Sequence, residues 1–513
     1  MANPFRLRAG ALTTAVLLSA VLAGCGGHAE DGDLTAQKLD WKDCPAPSEA
    51  EGGGSAPSPL PNGTAWQCAT MKAPLDWGRP KGDTIGIALI RARASGPASS
   101  RIGSLVFNFG GPGGSGVTAL PSFGEDYTAL RTRYDLVSFD PRGVGLSAPV
   151  ECESDAQLDA YFQQDATPDD SAERAQLLKR TQQFNAACEK NSKKILPHVR
   201  TTDAARDMEL MRQVLGDRKL YYFGISYGTE LGGVYAHLYP GNVGRAVLDG
   251  VVDPTQNPEQ SALGQARGFQ LGLDNFAKDC TSKTTECPVG DTEQGVKDRM
   301  AKLLADLEKK PIPGILPRRL TQTAATNGIA QSLYSKDFWE YLTEGLEEAY
   351  DGDGRTLMLL SDLMNGRSEN GEYSNITAAN IAINCSDEKP RYTTEYVQRK
   401  LPEFQAASPL FGHYLAWSMV GCTDWAVPGA ADHPDVSAPG SARILVVGNT
   451  GDPATPYEGA KKMVDALGKG VAVELTYKGQ GHGAYDSKNR CVQSAVNGYL
   501  LDGKVPKTGT VCS

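Results

Sequence analysis

The sequence predicts an α/β fold, a mostly parallel, doubly wound sheet interrupted by an inserted, mainly helical cap. Three observations carry this reading. Short apolar runs of strand length alternate with helical spacing from about residue 84 to 253, the pattern of parallel strands joined by crossover helices. The alternation stops between 254 and 435, where polar helical segments such as Glu293–Glu308 and Lys336–Tyr350 dominate. It then resumes from 436 to 513. A chain of 513 residues with 40% hydrophobic positions can fill such a split core, and it is too apolar to be disordered. The 51 Lys and Arg against 61 Asp and Glu leave a formal charge of −10, which excludes the basic field that nucleic-acid binding needs.

The elements follow in order. Arg6 and Arg8 precede the apolar run Ala9–Ala23, shorter than the roughly 20 residues that span a bilayer. With small residues at its end, this reads as a secretory signal over residues 1–24. Leu22-Ala23-Gly24-Cys25 resembles a bacterial lipoprotein signal, which makes Cys25 the lipid attachment site. The expected location is extracellular, anchored to the outer face of the cell membrane. Residues 25–64, rich in Gly, Ala, Pro, Ser and acid, read as a flexible spacer. Of the 11 cysteines, ten remain beside Cys25, an even number that suggests disulfides in an exported protein. The simplest pairing joins neighbours: 44–68, 152–188, 280–287, 385–422 and 491–512. No C-x-x-C or H-E-x-x-H occurs, so neither metal nor cofactor is expected.

The first part of the body, 65–253, begins with the alternating strand Thr84–Arg91. Leu105–Phe109, Leu136–Phe139, Leu220–Phe223 and Ala246–Leu248 are short apolar runs of buried-strand type. Ala204–Leu215 and the stretch from Tyr227 to Leu238 have helical spacing. After the cap, Arg443–Val447 and Val471–Tyr477 are strand-like, with Tyr457–Leu467 helical between them.

The chemistry sits where strands end. Gly224-Ile225-Ser226-Tyr227-Gly228 lies between a strand and a helix. A serine on such a tight turn presents its hydroxyl at the helix N-terminus, whereas a bare capping serine would carry no chemistry. A hydroxyl nucleophile needs a base. Of six histidines, His28 is in the spacer, His198 in a turn, His237 three helical turns beyond Ser226, His413 in the cap and His433 in a Pro-rich connection. His482, in Gly479-Gln480-Gly481-His482-Gly483 after the last long strand, can reach back to a strand-end serine. The acid that orients the imidazole is Asp452, with Asp249 as its competitor. Asp452 is preferred because its strand pairs naturally with the one leading to His482. The oxyanion donors are the backbone of Tyr227 and, from the loop Phe109–Gly114, Gly111.

That loop also matches G-x-G-x-x-G, with Asp140 ending the next strand as in a dinucleotide fingerprint. Pro121 and Gly124 break the helix that would receive a pyrophosphate, and Asp140 runs into the turn Pro141-Arg142-Gly143, so the cofactor reading is set aside.

These segments together resemble the α/β-hydrolase serine peptidases that include proline iminopeptidase and the secreted actinobacterial tripeptidyl aminopeptidases. The early H-G-G-P-G-G element appears as Phe109–Gly114, with Phe109 in place of histidine. D-x-R-G-x-G-x-S appears at Asp140, Arg142, Gly143, Gly145 and Ser147, and V-L-D-G-V-V-D-P from Val247 to Pro254. The opening Cys44…Cys68…Ala73-Pro74-Leu75-Asp76-Trp77 is similar to the tripeptidyl branch. The resemblance implies an exopeptidase that releases short peptides, tripeptides above all, from free N-termini of peptides or proteins. Such an enzyme needs an anion for the substrate ammonium. The cap acids Asp387, Glu388 and Asp424 are the candidates, and Glu230, four residues beyond Ser226, is left out. A lipid or ester hydrolase on the same fold is the alternative, with a more apolar cap expected. A non-catalytic, lipid-anchored peptide-binding protein would have no use for the Ser, Asp and His set.

Overall fold

The computed structural model describes residues 33–282 and 287–513. The expected signal segment 1–24 and Cys25 lie outside the described residues. Seven strands precede the cap: β1 Lys42–Asp43, β2 Gln67–Pro74, β3 Thr84–Ala92, β4 Gly103–Asn108, β5 Tyr134–Phe139, β6 Leu220–Ile225 and β7 Val243–Asp249. The cap contributes a small hairpin, β8 Ile312–Pro313 and β9 Arg319–Leu320. Three strands follow it: β10 Ile444–Gly451, β11 Ala472–Gln480 and β12 Thr510–Cys512. All but the hairpin form one 10-stranded sheet in the order β1-β2-β3-β5-β4-β6-β7-β10-β11-β12. β1, β2 and β3 pair antiparallel, and β3 meets β5 antiparallel. Every pairing from β5 to β12 is parallel.

The continuous apolar runs of the sequence are the strands buried on both faces. Alternate residues of neighbouring strands enter different cores. Val106, Val137, Tyr222, Leu248 and Val446 face one way, and Leu105, Phe107, Leu136, Phe223, Val247 and Leu445 the other. The first face is covered by the helices Thr201–Val214, Tyr227–Leu238 and Glu458–Leu467, the second by Gly116–Phe123 and Arg490–Asp502. The expected α/β fold with a doubly wound, mostly parallel sheet is therefore the observed one.

The cap has a core of its own, built from Leu273, Phe276, Met300, Leu346, Leu357, Phe404 and Trp417. Its helix Ile376–Asp387 leaves that core and inserts Ala378, Ala382 and Ile383 into the core of the body. The helices Asp155–Phe162 and Ser171–Ser192, which precede β6, join the cap layer. Thr323 donates to the Gln164 carbonyl at 2.8 Å, and Asn185 donates to the carbonyls of Gly421 and Thr423 at 2.9 and 2.8 Å. Phe184 and Cys188 pack in the core of the body as well, so the segment 155–192 bridges the body and the 254–435 cap.

The described part of the expected spacer, residues 33–64, is docked on the body. Gln37 exchanges hydrogen bonds with the Lys72 backbone at 2.9 and 2.8 Å, β1 pairs with β2, and Leu60 is buried. Polar, Gly-rich composition does not report such backbone pairing. Disulfides join the five neighbour pairs 44–68, 152–188, 280–287, 385–422 and 491–512.

Arg142 clamps the D-x-R-G turn. Its guanidinium, fully buried, meets both Asp207 oxygens at 2.7 Å and donates to the carbonyls of Pro74, Leu75 and His198. Trp77 supplies Asp207 with a further hydrogen bond at 3.0 Å. Burial pushes the Asp207 carboxyl upward and the Arg142 charge opposes it. Asp140 is equally engaged, accepting from Ser115, Val117 and Leu146 at 2.6, 3.1 and 3.0 Å. It serves the turn, which leaves no free acid for a ribose. Arg142→Ala strands the Asp207 charge in the core, and a loss of about 3–5 kcal/mol is expected in denaturant unfolding.

Candidate active site

β6 runs into the helix Tyr227–Leu238 through Ser226, whose backbone sits at φ 58°, ψ −127°. A non-glycine residue adopts this conformation only where surrounding contacts impose it. Here the Ser226 N–H donates to the Asp249 carbonyl at 3.0 Å, and Thr229 returns two hydrogen bonds to the Ser226 carbonyl at 2.8 and 2.7 Å. Gly228 packs so tightly that an added Cβ would lie 2.5 Å from the Asn108 carbonyl oxygen. The turn projects Ser226 at the positive end of its helix.

The loop after β4 passes beside this turn. A Cβ on Gly110 would stand 2.8 Å from both the Ile225 carbonyl and the Ser226 Cβ, and 3.2 Å from the Tyr227 nitrogen. Gly111 follows at φ 115°. Backbone amides are thus concentrated around Ser226 by the absence of side chains. The cap braces the loop from above, as Asn380 donates to the Pro112 carbonyl at 3.0 Å.

His482 lies in the loop after β11. Asn449 donates to the carbonyls of Gly481 and Gly483 at 2.6 and 2.9 Å, and the His482 N–H donates to the cap carbonyl of Tyr334 at 2.7 Å. The Tyr334 ring meets the imidazole edge to face at 5.3 Å. Nδ1 lies 2.9 and 3.0 Å from the two Asp452 oxygens. Asp452 also accepts from the backbone of Ala454, Thr455 and Gly483 at 2.9, 2.9 and 3.0 Å. Both Asp452 oxygens already act as acceptors for backbone N–H groups, so Nδ1 carries the proton it donates to them. Nε2 is left as the acceptor, and it is buried with no hydrogen-bond partner, Ser226 included. Burial opposes a charged imidazole here, yet the Asp452 charge and hydrogen bond, with Asp249 behind them, hold the His482 pKa above its usual value.

Glu230, one helical turn beyond Ser226, is joined by Asp387 and Glu388 of the cap. Glu230 feels the charges of Asp387 and Glu388, and the three pKa values are raised to about 8, 7 and 7, first by burial and then by mutual repulsion for Glu230 and Glu388. Thr201 links this group to the nucleophile turn. Tyr227 Oη meets Thr201 Oγ1 at 2.6 Å, and Thr201 donates to Asp387 through its hydroxyl at 2.7 Å and its amide at 3.1 Å. Arg200 and Arg391 lie nearby, but their hydrogen bonds go to backbone carbonyls. Among the described residues no ion pair neutralises the three acids. Asp424 is not brought to this place and instead accepts from Gln182 at 2.8 Å on an exposed face. Glu230 is the residue missed by sequence reasoning. Its spacing of four from Ser226, which puts both on one helix face, was the available signal.

With this geometry in place, the comparisons with known proteins become informative. Serine protease Hip1 of Mycobacterium tuberculosis is 35% identical over 96% of this chain and 95% of its own length. Tripeptidyl aminopeptidase of Streptomyces lividans is 31% identical, covering 93% of this chain and 86% of its own. Carboxylesterase B of M. tuberculosis is 36% identical, covering 87% and 86%. The family described as "TAP-like protein" matches residues 408–512.

The chain belongs to this TAP-like family of α/β-hydrolases.

It is accordingly a serine hydrolase, as its protease relatives are. In such an enzyme Nε2 of a neutral histidine takes the serine proton, while an acid at Nδ1 fixes the tautomer. Asp452→Asn preserves the shape of this contact but reverses the favoured tautomer, and kcat should fall by about 10³–10⁴ while the melting curve is kept. Because the base works when neutral, kcat/KM should rise with pH through a midpoint above the ordinary histidine value of 6.5 and be lost below it. A pH-rate profile checks this.

Proposed function

We propose that the protein is an exported serine exopeptidase that removes short peptides, chiefly tripeptides, from free N-termini. The observation that carries this reading is the group of half-buried acids Glu230, Asp387 and Glu388, which repel one another and form no ion pair among the described residues, with Glu230 one helical turn from Ser226. Like charges held together out of water are costly, and a substrate ammonium would offset that cost. The tripeptidyl aminopeptidase relatives support the same chemistry. The five disulfides suit an oxidising compartment, and Cys25 is the residue that would carry a lipid anchor.

In the proposed reaction His482 Nε2 takes the Ser226 proton as Oγ attacks the scissile carbonyl. The oxyanion is held by backbone N–H groups of Tyr227 and the Gly110–Gly111 loop. His482 then gives its proton to the leaving amine, and a water deprotonated by the same nitrogen releases the acyl group. Asp452 holds the imidazolium. The acid group fixes how far the N-terminus lies from the scissile bond.

The Carboxylesterase B relative favours a second reading, hydrolysis of uncharged esters. The two differ in their need for charge. A fluorophosphonate should label Ser226, and an unlabelled Ser226 overturns both. Free tripeptidyl amides should be cleaved at least tenfold faster than N-acetylated ones, and equal rates refute the exopeptidase. Glu230→Gln should raise KM for the free amide about tenfold, with a smaller effect on an acetylated ester. The sign of the pH dependence follows from the raised pKa values. The acids bind a cation only when ionised, so KM for the free amide should climb as pH falls through about 8 to 7. KM for the acetylated ester should stay flat.

A further inference from the structure

Asp249, the last residue of β7, touches both reacting halves of the site without being hydrogen-bonded to either reacting side chain. Its carbonyl accepts the Ser226 N–H at 3.0 Å. Its carboxylate oxygen Oδ2 accepts the amides of Ala484 and Tyr485 at 3.2 and 2.9 Å, the two residues that follow the His482 loop. Oδ1 is buried with no partner. The next residue, Gly250, passes so close that an added Cβ would lie 3.1 Å from His482 Cε1. A buried oxygen with no donor is expensive unless its charge is used.

We propose that Asp249 is a positioning residue of the site. It ties the nucleophile turn to the His482 loop, and its negative charge stabilises the imidazolium that forms during acyl transfer. The inference rests on the serine-hydrolase reaction with His482 as base, not on which acyl group is cleaved. The titratable groups that interact with Asp249 are His482, Asp452, Asp486 and Tyr127. Asp486 accepts from Tyr127 Oη at 3.0 Å and feels Asp126 and Lys488. Tyr127 and Tyr485 stack at 5.4 Å. Burial, only partly offset by the two amides, raises the Asp249 pKa to about 6, so the group is an anion over the neutral range where the base must be neutral. A lone anion near a buried imidazole raises its basicity, and a like-charged neighbour such as Asp486 limits how far.

The test separates charge from scaffold. Asp249→Asn keeps an acceptor for Ala484 and Tyr485 and offers an N–H₂ at the unpartnered position, but carries no charge. The readout is the second-order rate of Ser226 labelling by a fluorophosphonate against pH, which needs neutral His482. Wild type should show a single rising limb, and absence of any labelling would overturn the base-and-nucleophile reading instead. In Asp249→Asn the midpoint should move down by about 0.5–1 pH unit. In Asp249→Glu, which keeps the charge, the midpoint should stay while the rate drops. A midpoint in Asp249→Asn equal to that of wild type overturns the proposal, because a purely structural residue would change the rate alone. If the Asn variant does not melt cooperatively, Asp249→Ala against Asp249→Glu makes the same comparison, and equal midpoints overturn it.

Discussion

Parallel ladder hydrogen bonds between β4, β6, β7, β10 and β11 impose the constraint on which the site depends. Parallel neighbours must end on the same edge of the sheet. Asn108 is in register with Gly224, Ile225 with Asp249, and Val447 with both Asp249 and Leu475. The residues just beyond these pairs are Phe109–Gly111, Ser226, Gly250, the Asp452 turn and the His482 loop. Five segments far apart in the chain are thus delivered to one line. The ladder cannot slip by one residue without moving the apolar side chains of one core into the other. Register and site therefore stand or fall together.

What the sheet delivers, buried polar contacts hold in place. The turn at Ser226 is kept by Asp249 and Thr229, and the His482 loop by Asn449, Asp452 and the cap carbonyl of Tyr334. Each contact joins two loops, so each loop's conformation is fixed by another's. That pre-organisation is what a transition state with developing charge requires, since the donors then need no rearrangement during reaction. Its cost is strain at Ser226 and unmatched buried atoms on His482 and Asp249.

The cap contributes in a different manner. It places Asp387 and Glu388 against Glu230 of the body, so the charge group exists only when cap and body are together. The helix Ile376–Asp387 does this from inside the body's core, and the 385–422 disulfide fixes its end. Burial first, and then repulsion at Glu230 and Glu388, raises the carboxyl pKa values there. The same helix braces the Gly111–Pro112 loop through Asn380, so the acid group and that loop share one support.

The sequence by itself determined the elements whose signal is local. Apolar runs three to five residues long were strands, and glycines flanking Ser226 and His482 marked turns where backbones approach closely. Cysteine order suggested the simplest pairing, neighbour with neighbour, and the five bridges take it. Only the tertiary structure decided matters of long-range packing. Residues 33–64 have the composition of a tether, yet strand pairing with β2 and side-chain hydrogen bonds hold them to the body. The helices before β6 reach the cap through contacts with residues more than 150 positions away while packing on the core of the body. Asp387 and Glu388 found their partner in Glu230, while Asp424, equal to them in sequence, went to Gln182. Electrostatic environment depends on which charges converge in space, and periodicity along one chain does not encode that convergence.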